Sequence, residues 1–256
     1  MADVITRDRY GAVLLDMDGV VTDTASIHAD CWKRLFDEFL EKQAAHNAAP
    51  YPYRPFDLNT DYKLHVDGKP RYEGVADFLN SRGIVLPEGT PKDPPTEATI
   101  CGLGNRKNEL FNERIASAGV KAYPGTVAFL DYLRRTGIRA AVVTSSRNAH
   151  AVLHAAKVEE LFDVCVDENV LAEHGLAGKP APDSFLKAAE MLGVRPDRAV
   201  VIEDALSGVR AGVRGAFGLV IGVARKDNAE ELKAQGAHLV VKDLAELLPE
   251  RPEAGR

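Results

Sequence analysis

The sequence predicts a doubly wound α/β domain on a parallel sheet, with a mostly helical domain inserted after its first strand. Two observations carry this. Short apolar runs alternate with helix-spaced segments over most of the chain, and one long interval near the N-terminus contains no such run. The 256 residues are enough for one large domain or two unequal ones.

The apolar runs are residues 12–16, 138–144, 198–204, 218–224 and 238–241. None alternates strictly between apolar and polar residues. That is the pattern of strands covered on both faces, as in parallel sheets. Between them lie helix-spaced segments at 126–137, 184–193, 205–215 and 229–236, each of which ends on glycine, a common helix stop. Strands alternating with helices through short loops give a doubly wound core.

The interval from about 25 to 118 begins with a helix-spaced stretch, 26–45, and continues with helices at 71–82 and 104–118. Two segments between them, 46–66 and the Pro/Gly-rich 86–104, read as loop. The expected organisation is a core domain of 1–24 with 119–250, a helical domain of 25–118, and a frayed tail of 251–256.

Composition narrows the function. A hydrophobic content of 45% with 27% charged residues is that of an ordinary globular protein, and the formal net charge of −6 argues against a general nucleic-acid binder. No apolar stretch approaches a membrane span, and the charged N-terminus is unlike a signal peptide. Cys31, Cys101 and Cys165 are widely spaced with no CxxC pair, which suits reduced thiols in a cytoplasmic protein. The expected partner is a small molecule, with no nucleic acid and no membrane, and the expected state is a monomer or weak homo-oligomer.

Four segments carry chemistry, and each follows a predicted strand. In LLDMDGVVTDT (14–24), Asp16 and Asp18 lie two apart and face one way at the carboxyl end of the sheet, where open α/β sheets bind ligands. Crowded carboxylates repel unless a cation or shared proton intervenes, and magnesium suits hard oxygen donors. In VVTSSRN (142–148), the hydroxyls of Thr144, Ser145 and Ser146, with Asn148, sit at a strand-to-helix junction suited to a phosphoryl group or to helix capping. Lys179 stands in a proline-bounded turn as a compact positive charge for phosphate. Glu203 and Asp204 supply a second acidic pair for the same metal. Taken singly each has a bland structural explanation; the four together do not.

The order DxDG, hydroxyl, lysine, acidic pair resembles the haloacid dehalogenase superfamily, whose Rossmann-like core carries an inserted cap. The resemblance implies that Asp16 attacks phosphorus and becomes an aspartyl phosphate, while Asp18 serves as general acid and base. It implies that Thr144 and Lys179 hold phosphoryl oxygens. Mg2+ would be held by Asp16, Asp18 (through its backbone carbonyl), Glu203 and Asp204. A covalent intermediate splits one hard displacement into two easier ones.

Within that superfamily, residues 16–32, including Thr24, His28 and Trp32, resemble the opening of the β-phosphoglucomutases. DGKPRYEGV (67–75), with Gly68 and Arg71, resembles their specificity loop, and GNRKNELF (104–111) presents Arg106, Lys107 and Asn108 in the same order. A mutase handles a bisphosphate in two orientations and so needs a second cationic site. Arg71 is the candidate for it, since a guanidinium grips phosphate bidentately. Lys107 and Asn108 are candidates for the sugar hydroxyls or that phosphate, and His28 for a bridge between substrate and Asp18. Trp32 reads as a core anchor. The resemblance therefore implies interconversion of β-D-glucose 1-phosphate and glucose 6-phosphate through the 1,6-bisphosphate. The alternative is a phosphatase of sugar phosphates or related metabolites, in which water accepts the phosphoryl group. The segments 46–66 and 86–104 make the cap longer than the compact mutase pattern.

Overall fold

The computed structural model describes residues 4–46, 54–225 and 227–249. The expected tail 251–256 and part of the 46–66 segment lie outside the described residues. The chain divides into two compact units, one of residues 1–23 with 120–256 and the other of residues 24–119.

In chain order, β1 is Ala12–Leu15, α1 Ala25–His46, α2 Arg71–Ser81, α3 Ile100–Ala118 and α4 Pro124–Thr136. Then come β2 (Arg139–Val143), α5 (Ala149–Ala155), β3 (Val164–Val166), α6 (Glu168–His174) and α7 (Asp183–Met191). The last are β4 (Ala199–Glu203), α8 (Leu206–Arg214), β5 (Leu219–Val223), α9 (Ala229–Ala234) and β6 (Leu239–Val241).

The first unit is an α/β core whose six strands form one parallel sheet in the order β3-β2-β1-β4-β5-β6. The strand order reverses beside β1, between the two halves of the sheet, and such a switch point opens a crevice at the carboxyl ends of the strands. β1 and β4 are buried along their whole length, which explains their unbroken apolar runs. Ala12, Leu14, Val201, Val209 and Phe185 belong to the core that packs one face of the sheet against its helices.

All five expected strands are present, each ending at or one residue before the run predicted for it, so Asp16, Thr144 and Asp204 fall just past strand ends. Three elements were not anticipated: β3, α5 and α6. β3 is three residues long, the run VCV between Asp163 and Asp167, and only its last residue is fully buried.

The second unit is helical. Trp32 and Phe36 of α1 stack with ring centroids 5.3 Å apart. Phe36 also packs on Phe78 of α2 at 4.1 Å and on Phe56 at 5.1 Å. This aromatic cluster supplies the bulk that a small helical domain needs. The segment expected to be loop from 86 to 104 is corrected at its end: α3 begins at Ile100. Thr99 caps it by accepting a hydrogen bond from the Gly102 amide at 2.9 Å. Residues 62–66, also expected as loop, form a short π-helical turn.

Candidate active site

The strand ends of β1 and β4 set the site. Asp16 continues β1, its amide still donating to the Ile202 carbonyl of β4 at 2.9 Å. The residue is 8% exposed. Glu203 closes β4 and is fully buried; one of its oxygens accepts from the Ala205 amide at 2.9 Å. Asp204 follows, and its carbonyl accepts from the Asn228 side-chain amide at 3.2 Å.

Lys179 joins these elements. The side chain is 1% exposed, and its ammonium donates to Asp16 Oδ1 at 2.5 Å, to Glu203 Oε1 at 2.7 Å and to the Val143 carbonyl at 3.2 Å. Burial alone would drive the proton off this lysine; the charges of Asp16 and Glu203 overcome that and hold it above its ordinary value. Two carboxylates against one ammonium leave a surplus negative charge. Burial and then Glu203 push the Asp16 carboxyl well above its ordinary value, with Lys179 opposing and Asp18 adding to the rise. One oxygen each from Asp16, Glu203 and Asp204 lie within 4.8 Å of one another. An all-oxygen, anionic donor set with uncompensated charge fits a hard divalent cation.

The turn after β1 is tightly bonded. The Gly19 amide donates to the Thr22 carbonyl at 2.8 Å, and the Thr22 hydroxyl to the Met17 carbonyl at 3.2 Å. Gly19 has φ +91°, and a Cβ there would stand 2.1 Å from Asp204 Oδ2, so the Asp18–Gly19 turn and the second acidic pair pack directly together. Arg225 supports the turn from β5: its Nε donates to the Gly19 carbonyl at 2.8 Å, Nη1 to Asp243 at 3.0 Å, and the guanidinium lies over the Tyr123 ring. After β2, the buried Thr144 hydroxyl accepts from the Ser146 amide at 3.1 Å, and the Ser146 hydroxyl from the Asn148 amide at 3.2 Å. Ser145, Ser146 and Asn148 are partly exposed.

Asp16, Lys179, Glu203 and Asp204 are thus brought together. Lys179, expected to hold a phosphoryl oxygen, also bridges the two carboxylates, which no spacing revealed. Three residues of this unit escaped sequence reasoning. Arg147, inside the TSSRN turn, pairs with Glu168 at 2.9 Å; its position between two expected binding residues was the available signal. Arg225 and Asn228 follow β5 without a motif and had no such signal.

The remaining expected residues belong to the helical unit. Thr24 is fully buried, and its carbonyl accepts from the His28 amide at 2.9 Å. His28 stacks on Phe111 at 4.0 Å, and its Nδ1 contacts the ammonium of Lys107. Lys107 is 6% exposed and lies 5.2 Å from the Trp32 ring centre and 5.0 Å from that of Phe111, a cation held between π faces. Asn108 is partly buried one residue on, Gly68 sits at φ +70°, and Arg71 opens α2 with its guanidinium 5.6 Å from the Tyr72 ring centre. Trp32 is 4% exposed.

Residues 10–215 match the family model of haloacid dehalogenase-like hydrolases. The chain belongs to this family. As a haloacid dehalogenase-like hydrolase it is similar to a β-phosphoglucomutase of Mycobacterium tuberculosis. The two are 45% identical over 244 residues, which cover 94% of this chain and 92% of that one. A β-phosphoglucomutase of Bacillus subtilis is 31% identical over 237 residues, 92% of this chain and 91% of its own. The crystal structure of a β-phosphoglucomutase from Clostridium difficile shares the fold, with a TM-score of 0.71 over 93% of both chains at 24% identity. This haloacid dehalogenase-like hydrolase is a phosphoryl-transfer enzyme. No helix among its described residues is long and apolar enough to cross a membrane.

Proposed function

We propose that the chain is a β-phosphoglucomutase that interconverts β-D-glucose 1-phosphate and D-glucose 6-phosphate through β-glucose 1,6-bisphosphate. The observation that carries this is the 45% identity to a β-phosphoglucomutase over nearly the whole of both chains, on a core where Asp16 meets Lys179, Glu203 and Asp204.

In this reading Asp16 is the nucleophile. Its buried carboxylate is aimed by Lys179 and becomes an aspartyl phosphate that hands the phosphoryl group to a sugar hydroxyl. Asp18, one residue beyond Met17, protonates the leaving oxygen and deprotonates the attacking one. Thr144, Ser145, Ser146 and Lys179 bind the equatorial phosphoryl oxygens, where charge accumulates during transfer. Asp16, Glu203, Asp204 and the Asp18 backbone carbonyl would hold Mg2+, which when bound offsets the charge of carboxylates and phosphate together. The second phosphate of the bisphosphate calls for a second set of cations. Arg71 and Lys107 are the residues proposed for it, with Thr24, His28, Gly68 and Asn108 proposed for the sugar and Asn148 for the phosphoryl group at Asp16. Cys31, Cys101 and Cys165 are widely spaced with no CxxC pair, which supports the cytoplasmic placement proposed here.

The test is phosphorus NMR of β-glucose 1-phosphate incubated with enzyme, Mg2+ and a trace of the bisphosphate. Glucose 6-phosphate should accumulate. Inorganic phosphate accumulating in its place would assign the chain as a phosphatase of sugar phosphates, with water as acceptor.

A further inference from the structure

Tyr72 and Asn105, together with the Pro/Gly-rich segment 87–99, form a continuous buttress behind Arg71. The segment is pinned to the start of α3. The Ile100 and Cys101 amides, which a helix N-terminus would leave unsatisfied, donate to the Pro87 and Glu88 carbonyls at 3.0 Å each. Inside the segment, Asp93 accepts from the Thr90 hydroxyl at 2.8 Å and from the Thr99 hydroxyl at 2.7 Å. These bonds hold the Asp93 carboxyl below its ordinary value, the Thr99 contact contributing most. The stretch is therefore a built structure with its own internal bonds.

Asn105, in the second turn of α3, reads this segment on one side and Tyr72 on the other. Its side-chain amide nitrogen donates to the Asp93 carbonyl at 2.9 Å and to the Pro91 carbonyl at 3.2 Å. With both amide protons so used, Asn105 Oδ1 is left to accept, and it takes the Tyr72 hydroxyl at 2.9 Å. Gly104 makes room for the ring: a Cβ there would stand 2.6 Å from Tyr72 Cδ1 and 3.2 Å from Arg71 Cγ. The ring so fixed carries the Arg71 guanidinium near its face.

We propose that Tyr72 and Asn105 are positioning residues that set the orientation of Arg71, and that segment 87–99 acts as a specificity element through them. The inference rests on the proposed mutase reading, in which Arg71 grips the phosphate remote from Asp16. A long arginine lying on an aromatic ring that hydrogen bonds hold in place loses less freedom when it grips an anion, so the relay contributes to affinity for substrates with a remote phosphate. A substrate with a single phosphate and no sugar has no use for it.

The experiment compares wild type, Tyr72→Phe, Asn105→Ala and, as a reference, Arg71→Ala in two assays: isomerisation of β-glucose 1-phosphate and hydrolysis of p-nitrophenyl phosphate. Tyr72→Phe keeps the ring and removes only the hydroxyl bond. It should raise KM for isomerisation about threefold to tenfold, the range for one lost hydrogen bond. Its kcat/KM for the aryl phosphate should stay within twofold of wild type. Asn105→Ala should act in the same direction, and combining either change with Arg71→Ala should add nothing further. Unchanged isomerisation KM in Tyr72→Phe, or equal losses in both assays, would overturn the buttress. Wild type that never isomerises the sugar phosphate would instead overturn the mutase reading, and the buttress with it.

Discussion

Lys179 and Glu203 form a fully buried ion pair at 2.7 Å, and the same ammonium also reaches Asp16. Removing one partner of a buried pair leaves charge without compensation, a change that typically costs about 3–5 kcal/mol. Lys179→Met should therefore destabilise the protein by about that amount in urea unfolding, besides ending activity. A loss below about 1 kcal/mol would mean the ammonium does not hold the two strand ends together.

The two aspartates of the DxDG turn should separate kinetically. Asp16→Asn is expected to abolish turnover and acid-stable labelling by a phosphate donor, because the amide cannot take the phosphoryl group. Asp18→Asn should slow turnover by roughly 10²–10⁴-fold, the range for lost acid–base help. Substantial labelling in Asp16→Asn, or an unchanged rate in Asp18→Asn, would reject the corresponding role.

Cation binding should depend on pH in a fixed direction. In the cation-free protein Asp16 holds its proton more tightly than in the unfolded chain. That contribution favours the fold at and below the ordinary carboxylate value of 3.8, and it fades as pH rises through the raised folded value. A divalent cation needs the ionised carboxylate, so its binding expels the proton and tightens as pH climbs across the same window. Mg2+ at a hundred times its Kd should stabilise by about 2.7 kcal/mol. The rise in Tm should shrink at low pH and largely vanish in Asp204→Asn. A rise that is the same at every pH would contradict the origin given for the Asp16 shift.

Gly208, in the first turns of α8, offers a test by sign. Glycine to alanine within a helix ordinarily stabilises by about 0.8–1.0 kcal/mol. Here a Cβ would stand 1.7 Å from Glu203 Oε1. Gly208→Ala should lower Tm and weaken the Mg2+ response together, both read by thermal unfolding with and without the cation.

Much of the core and the identity of its acidic cluster were legible before any coordinates, because parallel strands buried on both faces write long apolar runs and the acidic residues end them. What stayed hidden was short or tertiary. β3, α5 and α6 went unread, although β6 and α9 are no longer than these and were read. The start of α3 was read as loop because Gly102 and Gly104 signal breakage locally; at Gly104 the cause is the Tyr72 ring lying against the helix, which no local pattern can express. The placement of Lys179 between Asp16 and Glu203 likewise depends on three segments far apart in the chain.

The strand order has a bearing on biosynthesis. β1 is made early, yet its neighbour on one side, β4, emerges only after most of the protein has been synthesised. Until then the nascent sheet of β3, β2 and β1 presents an apolar, unpaired margin, the kind of template that recruits strands from other chains. Polypeptides cut short just before residue 199 should accumulate as insoluble material, while those extended through β4 and its covering helix α8 should stay dispersed. Because the same late strand delivers Glu203 and leads into Asp204, closing that margin and completing the catalytic centre are one event.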